Sequence, residues 1–359
     1  MVSENYYGTF TADSLWYWAS AGKTITAFLI GQAQQEGLID IQQPSSQYQG
    51  AGWTSCTPEQ EQAITVWHQL TMTTGLDFNN GNLDCTDPQC LTYLNEPGTE
   101  WFYHNAPYTR LDAVIEGASG LTFNQFYNTR LRNRIGMNGL FLNFESNNVN
   151  FSNARSMARF GILMLNRGIW NTDTLMSDQA YFEQMINTSQ NINEAYGYLW
   201  WLNGKDSFRY PTFTTTFDGF IMPDAPADLI AALGKNGQFL MIVPSQNLIV
   251  IRLGDPADGI DGLVPTTFAN QIMRRVGLLE CEPTATKNIN ENIQNQRYFY
   301  DSSAKAIRSA QSTNLNTTLF DMNGRAVLRF SDNYLDVSSL TPGLYLLQNQ
   351  NGTQKIMIH

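Results

Sequence analysis

The sequence predicts an α+β domain, in which an antiparallel sheet is flanked by helices beside an all-helical region, followed by a small all-β domain. Three observations support this prediction. Apolar residues recur at helical spacing in the first half of the chain, strand patterns follow between residues 196 and 253, and the composition becomes polar and rich in turn residues after Leu279. Helices in the middle of a chain with strands behind them are typical of an α+β fold.

The helices and strands are placed by apolar periodicity and by their flanking turn residues. Within residues 11–40, a loop leads into a helix close to Ser20. Further helices are predicted at 60–70, 108–116, 123–134, 153–166 and 266–276, and strands at 196–202, 229–234, 239–243 and 248–253. The segment 75–99 is rich in Asn, Asp, Gly and Pro, which predicts a loop.

A domain boundary is predicted behind the last of these helices. Residues 1–281 form the expected first domain, 282–296 a polar linker, and 297–359 a small domain of β-sandwich type. The strand patterns of this second domain are 297–300, 317–321, 326–330 and 343–348, with turns at 322–324 and 341–343.

Composition excludes some partners. The formal net charge is −11, from 21 Lys and Arg against 32 Asp and Glu. Nucleic acid and anionic membranes are therefore not expected as partners, because no basic run is available to neutralise phosphates. The chain has no run of 18 apolar residues that would predict a membrane span. It also begins without the basic start and apolar run of a signal peptide.

The cysteines and histidines do not predict a metal site or a cofactor. His68, His104 and His359 are the three histidines, and no Cys-x₂-Cys or His-x₃-His spacing occurs. Cys85 and Cys90 enclose a turn-like Thr-Asp-Pro-Gln segment, so they either form a local disulfide or remain free thiols. The sequence does not decide whether Cys56 and Cys281 pair.

Ser20 and Lys23 form a Ser-x-x-Lys motif where a helix is predicted to begin. This spacing places both side chains on one face, one turn apart. A serine hydroxyl needs an adjacent base to become a nucleophile, and a lysine can be that base when burial lowers its pKa. Taken alone, the motif fits an N-cap serine beside a surface lysine equally well. A second match at 302–305 lacks a following apolar helix and is attributed to chance.

Two further motifs follow along the chain. Tyr103 and Asn105 form a Tyr-x-Asn, preferred over the match at 93–95 because a turn and an apolar pair precede it. A tyrosine in this place can relay a proton to a leaving group, whereas the alternative is a packing residue.

Lys235, Gly237 and Gln238 belong to the one Lys-x-Gly segment, which lies between two strand patterns. We expect it at the edge of an inner strand, where glycine lets a substrate approach the backbone. The N–H groups of Gln238 and Ser20 would then form an oxyanion hole. The alternative is a hairpin turn.

The order Ser-x-x-Lys, Tyr-x-Asn, Lys-x-Gly resembles the penicillin-recognising serine hydrolases: class C β-lactamases, D,D-peptidases, family VIII-type esterases and 6-aminohexanoate-oligomer hydrolases. The segments around the motifs, at 18–23, 70–76, 103–108 and 234–250, resemble the same family. The resemblance covers about residues 10–280. It implies a β-lactamase/transpeptidase-like fold.

The resemblance also implies roles for these residues. Ser20 would be acylated, Lys23 would act as its base and Tyr103 as a proton shuttle. Asn105 would position the substrate, and Lys235 would keep the site positive. The implied activity is hydrolysis of an ester or amide in a small-molecule or peptide-like substrate. The alternative is a catalytically silent penicillin-binding-like surface protein or adhesin.

Two departures from the family pattern qualify this expectation. Only 19 residues precede Ser20, so either the sheet lacks its N-terminal strands or the chain is truncated at its start. Asn236 stands where β-lactamases carry Thr or Ser, which favours ester or amide substrates over β-lactams.

The tail resembles the C-terminal sorting domain of type IX secretion. The segments that carry this resemblance are 319–327, 340–347 and a last strand at 355–359, although the usual Tyr-Pro-Asn-Pro opening is absent. It implies contact with the secretion machinery and a secreted or cell-surface protein. The alternative is a carbohydrate-binding or accessory β-module.

Overall fold

The computed structural model describes residues 3–144, 146–257, 264–277, 298–309, 316–321, 325–349 and 352–358. The chain divides into two units, Met1–Leu279 and Glu280–His359. The predicted linker at 282–296, Cys281 and the predicted turn at 322–324 lie outside the described residues.

Helices surround the buried sheet of the first unit. They are α1 (Lys23–Gln35), α2 (Ser46–Gln49), α3 (Pro58–Ala63), α4 (Val66–Leu70), α5 (Asn105–Thr109), α6 (Leu111–Ser119), α7 (Phe123–Tyr127), α8 (Ala154–Leu165), α9 (Gln179–Met185) and α10 (Thr266–Gly277). Alpha-helix α1 is buried along nearly its whole length, so it forms the centre of the unit.

The strands of the first unit form two larger sheets and two short pairs. They are β1 (Trp16–Tyr17), β2 (Leu140–Phe144), β3 (Asn147–Ser152), β4 (Ile169–Trp170), β5 (Asp173–Thr174), β6 (Trp201–Leu202), β7 (Ser207–Phe208), β8 (Phe217–Asp218), β9 (Ile230–Gly234), β10 (Gln238–Val243) and β11 (Leu248–Arg252). One sheet has the antiparallel order β11-β10-β9-β6, and the other has the order β1-β3-β2. Strands β9 and β10 are fully buried, which explains their nearly continuous apolar sequences.

The second unit consists of two antiparallel sheets. Its strands are β12 (Tyr298–Asp301), β13 (Ala306–Ser309), β14 (Thr317–Phe320), β15 (Ala326–Phe330), β16 (Tyr334–Asp336), β17 (Gly343–Asn349) and β18 (Gly352–Ile358). They are arranged as β12-β13-β16 and β15-β14-β17-β18. Tyr298 and Ile307 from one sheet share a core with Leu319 and Leu347 from the other. The all-β prediction for this region is confirmed.

Several predicted elements are shorter than expected, for local reasons. The helix predicted at 60–70 is two helices, because Ile64 is extended and the Thr65 side chain accepts a hydrogen bond from the His68 N–H as the cap of α4. The strand predicted at 196–202 is reduced to β6, since Leu199 has a φ of 61°. Strand β3 is rich in Asn, with apolar residues only at Val149 and Phe151, and it was not predicted.

Candidate active site

A tight turn carries Ser20 to the start of α1. The turn, Ala19–Gly22, is a 3-10 helix, and Ala19 has a φ of 48°, which is strained for a residue with a side chain. The neighbouring Trp18 fixes it: its backbone N–H donates to the Asn150 carbonyl at 2.8 Å, and its buried indole N–H donates to Ser152 Oγ at 2.8 Å. Ser20 itself is half-buried and so remains accessible.

Lys23 lies one turn further along and contacts the serine. Its Nζ donates to Ser20 Oγ at 3.0 Å. The side chain is only 5% exposed, and this burial lowers the pKa of Lys23 to about 7, with the carboxylate of Asp84 acting in the opposite direction. An appreciable fraction of neutral amine therefore exists at physiological pH, and a neutral amine can accept the serine proton.

Tyr103 is the third member of the group. It is buried, and burial raises its pKa far above the usual range, while the hydroxyl of Ser20 lowers it by hydrogen bonding. The Nζ of Lys23 lies 5.3 Å from the centre of the Tyr103 ring and 4.3 Å from that of Tyr108. The Tyr103 phenol thus stays protonated, which suits a group that passes a proton on. The structure brings Ser20, Lys23 and Tyr103 together.

Asn105 begins α5, two residues after Tyr103. Its Nδ2 donates to Asp84 Oδ1 at 2.8 Å. Its Oδ1 is buried and has no hydrogen-bond partner among the described residues. The sequence suggested that Asn105 positions a substrate. In the structure, the NH₂ group of its side chain is already hydrogen-bonded to Asp84.

The Lys-x-Gly segment occupies a turn rather than the edge of an inner strand. Lys235–Gly237 joins β9 to β10, with positive φ values at Asn236 (64°) and Gly237 (81°). The Lys235 side chain is exposed. The hairpin-turn alternative describes its conformation, because a three-residue connection between paired strands needs residues that tolerate positive φ.

Side chains fix this turn from both sides. Asn236 Nδ2 donates to the Tyr17 hydroxyl at 2.7 Å, and Arg252 Nη1 donates to the Asn236 and Gly237 carbonyls at 3.0 and 2.9 Å. The side chain of Gln238 is buried and bonds both backbone groups of Gly254, at 2.8 and 3.0 Å. The Gln238 side chain is thus engaged within the protein, and its backbone pairs with Gly234 at the end of the β9–β10 ladder.

Gly234 is a site residue that the sequence reasoning missed. A Cβ built on it would lie 2.4 Å from the Trp18 carbonyl oxygen and 3.1 Å from the Ala21 nitrogen. Strand β9 therefore approaches the nucleophile turn at a distance that only glycine permits. The available signal was a glycine that ends an otherwise apolar strand pattern.

The two histidines that the structure describes, His68 and His104, make no hydrogen bond to Ser20 and so do not form a catalytic triad with it. His104 is buried, its pKa is lowered to about 4 by burial, and its Nε2 has no hydrogen-bond partner in the described part of the chain. His68 bonds to Thr65 in the cap of α4. The second Ser-x-x-Lys match, at 302–305, lies in a turn of the other unit.

Cys85 and Cys90 form a disulfide in the structure, in the loop that carries Asp84. Cys56 is a half-buried free thiol. Among the described residues, no group of three or more His, Cys, Asp or Glu side chains is arranged to hold a metal ion. The helices in that part of the chain are all too short or too polar to span a bilayer.

Both units are similar to known protein families. The family model described as Beta-lactamase matches residues 1–255. An uncharacterised protein of Alkalihalophilus pseudofirmus is 22% identical over 70% of this chain and 80% of its own. A solved structure of a putative 6-aminohexanoate-dimer hydrolase from Bacillus anthracis superposes with a TM-score of 0.60 at 17% identity, covering 77% of this chain and 75% of that one. A penicillin-binding protein from Bacillus halodurans gives a TM-score of 0.52 at 16% identity, over 75% and 88%.

These likenesses confirm the expected β-lactamase/transpeptidase-like fold, which supports a serine-hydrolase type of activity in general. The model described as Secretion system C-terminal sorting domain matches residues 302–359, which confirms the predicted tail. This domain indicates a secreted or cell-surface protein that is exported by type IX secretion.

Proposed function

This chain belongs to the β-lactamase family, and on that basis we propose that it hydrolyses an ester or amide through an acyl-enzyme intermediate on Ser20. The observation that carries the proposal is the 3.0 Å contact between Lys23 Nζ and Ser20 Oγ, made by a lysine whose pKa is lowered to about 7. A nucleophile and a neutral base in hydrogen-bond reach are what acyl transfer to serine requires.

In the proposed first step, neutral Lys23 takes the Ser20 proton as Oγ attacks the substrate carbonyl carbon. The oxyanion is stabilised by the backbone N–H of Ser20 and by a second backbone N–H from the hairpin turn, which lies close to Ser20 because Gly234 permits the approach. The sequence motif suggests that this second N–H belongs to Gln238. The protonated phenol of Tyr103, which is hydrogen-bonded to Ser20, delivers a proton to the leaving oxygen or nitrogen and recovers one from Lys23. The bond to the leaving group breaks and the acyl-serine forms.

In the second step, a water attacks the acyl-serine. Neutral Lys23 accepts a proton from the water, and the Tyr103 phenol passes its own proton to Ser20 Oγ and recovers one from Lys23. The bond between the acyl group and Ser20 Oγ breaks, which releases the acid and restores the starting state. The exposed Lys235 at the rim would add positive charge at the entrance. Asn236 stands in the turn where β-lactamases carry Thr or Ser, and this difference supports esters and amides over β-lactams as substrates.

A substrate panel with matched serine variants tests the proposal. The panel contains p-nitrophenyl esters, D-aminoacyl p-nitroanilides and nitrocefin, and each is assayed with wild type, Ser20→Ala and Ser302→Ala. Ser302 is exposed and belongs to the second Ser-x-x-Lys match, so it serves as the control. We expect turnover and fluorophosphonate labelling to vanish in Ser20→Ala and to persist in Ser302→Ala. A wild type that is folded but neither labels nor turns over any ester or amide would favour the silent binding protein instead.

A further inference from the structure

Asp84 belongs to none of the three motifs, yet it lies against one of them. Its Oδ1 accepts the 2.8 Å hydrogen bond from Asn105 Nδ2. The backbone beside it is also attached to the motif helix, because the N–H of Ala106 donates to the carbonyl of Leu83 at 2.8 Å. Two adjacent bonds therefore join the loop around Asp84 to the start of α5.

The loop that carries Asp84 is closed immediately behind it. The Cys85–Cys90 disulfide begins at the next residue. On the far side of this closed loop, Asn80 Nδ2 donates to the Cys90 carbonyl at 2.6 Å. Asp84 thus stands immediately before a covalently closed loop, which restricts the segment that carries the carboxylate.

This contact determines which way the Asn105 amide faces. An ionised carboxylate can only accept hydrogen bonds, so it selects the NH₂ end of the amide. The Oδ1 end is then turned into the protein, where it is buried and has no partner among the described residues. The opposite orientation would place the amide oxygen against a carboxylate oxygen, which is unfavourable.

The charge of Asp84 also reaches the reacting residues. Burial lowers the pKa of Lys23, and the charge of Asp84 raises it by a smaller amount. The charges of Asp84 and Asp77 likewise raise the pKa of His104 against the larger effect of burial. The other groups that face the Lys23 amine are the Ser20 hydroxyl and the rings of Tyr103 and Tyr108, which are uncharged at neutral pH.

We propose that Asp84 is a positioning residue of the active site: its carboxylate fixes the Asn105 amide, and the Cys85–Cys90 disulfide holds the loop that presents it. The inference rests on the proposed function, because it assigns Asp84 to the same site. It identifies a part of that site that comes from a loop outside the three motifs.

The first test compares Asp84→Ala, Asp84→Asn and Asp87→Asn by the pH profile of kcat/KM for an ester that the wild type hydrolyses. Asp87 is exposed and lies within the closed loop that follows Asp84, so Asp87→Asn is the matched control. We expect Asp84→Ala to lower kcat/KM about tenfold or more, because the amide is released. In Asp84→Asn, the new amide oxygen can still accept from Asn105, so the alkaline plateau should be largely kept. Its acid limb should move to lower pH by about half a unit, since the charge that favours protonated Lys23 is gone.

The second test concerns the disulfide. Cys85→Ser/Cys90→Ser should lower kcat/KM in the wild-type background and should have little further effect in the Asp84→Ala background, because both changes release the same contact. Losses that multiply would mean that the disulfide and Asp84 act independently, and this would overturn the proposed coupling. Thermal unfolding of each variant checks that the first unit remains folded, and Asp84→Asn remains informative if Asp84→Ala does not fold.

Other outcomes separate the inference from the proposed function. If wild type labels at Ser20 but Asp84→Asn and Asp84→Ala match it in rate and pH profile, only the inference fails. If wild type does not label, both fail. A change in KM confined to substrates with an ammonium group would make Asp84 a substrate contact, and the positioning role would be wrong.

Discussion

Lys23 is subject to two opposing influences, and their balance sets the working range of the site. Burial disfavours its charged form, whereas the Asp84 carboxylate favours it, and burial is the larger effect. The resulting pKa of about 7 leaves the amine partly neutral near neutral pH. A lysine in water, with a pKa near 10.4, would be almost wholly protonated there and could not act as a base.

The first prediction is therefore a pH profile. Below pH 7, Lys23 is protonated, so kcat/KM should rise with pH through about 7 and reach a plateau on the alkaline side. Lys23→Arg should abolish turnover across this range, because a guanidinium cannot lose its proton. Steady-state rates from pH 5 to 9 check both points. Near-normal turnover by Lys23→Arg would exclude lysine as the base.

The second prediction concerns stability. The pKa of Lys23 is lower in the folded protein than in the unfolded chain, so folding releases a proton between about pH 7 and pH 10. The unfolding free energy contributed by this group therefore rises with pH over this range. At pH 7 and below, burial of this lysine costs about 4 kcal/mol. Lys23→Met should therefore stabilise the protein at pH 7, with a smaller gain at pH 10. Denaturant unfolding at both pH values measures the gain in unfolding free energy. Lys235 is exposed, so Lys235→Met is the control, and its unfolding free energy should change little.

The residue scale also shows what sequence can predict about a site. The sequence predicted that Ser20, Lys23 and Tyr103 belong to one site because chemistry constrains their identity and the order of their motifs resembles a known family, and the three lie together in the structure. Asp84 and Gly234 were not, because each acts through a contact with a residue distant in sequence. The contact of Asp84 leaves no local pattern, and that of Gly234 leaves only a glycine at the end of an apolar strand pattern.

At the scale of elements, the approach of β9 to the nucleophile turn is sensitive to a single methyl group. Gly234→Ala places a Cβ 2.4 Å from the Trp18 carbonyl, and backbone is the neighbour that must move. We expect a loss of about 1–3 kcal/mol in stability. We also expect at least a tenfold fall in kcat/KM, because Ser20 shifts with the turn.

Gly277→Ala is the matched control for this third prediction, since none of the described residues lies within 4 Å of the added Cβ. Unfolding curves and ester turnover of the two variants are compared. If Gly234→Ala keeps wild-type turnover, β9 does not set the position of the serine.

Elements were predicted well where one pattern ran uninterrupted. The apolar runs of β9, β10 and β11 and the periodic α8 and α10 appear within one or two residues of their predicted bounds. The Lys-x-Gly segment was misplaced because polar residues between two apolar runs fit either a strand edge or a turn. Only the Gly234–Gln238 pairing, which closes the β9–β10 hairpin, decides for the turn.

At the scale of the whole molecule, the fourth prediction separates catalysis from export. A chain truncated after Glu282 should retain full turnover in vitro, because every residue proposed for the site lies in the unit Met1–Leu279. In the native host, the same truncation should leave the enzyme in the periplasm, because the sorting domain at 302–359 is removed.

The specific activities of the purified full-length and truncated forms test the prediction on turnover. The amounts of enzyme in the medium and in the cell fractions test the prediction on export. A truncated protein that is folded but inactive would place part of the site in the second unit. Continued secretion of the truncated form would argue for an accessory β-module in place of the export role.

The aromatic surroundings of Tyr103 have an optical consequence. The rings of Trp101 and Trp201 lie 6.4 and 5.9 Å from that of Tyr103, and all three side chains are buried. Indole emission depends on its immediate surroundings, so an acyl group on Ser20 should change the ultraviolet fluorescence of the protein as it forms and as it is hydrolysed. The enzyme thereby supplies its own signal in a stopped-flow instrument, and unlabelled natural compounds can be screened as substrates without a coloured leaving group.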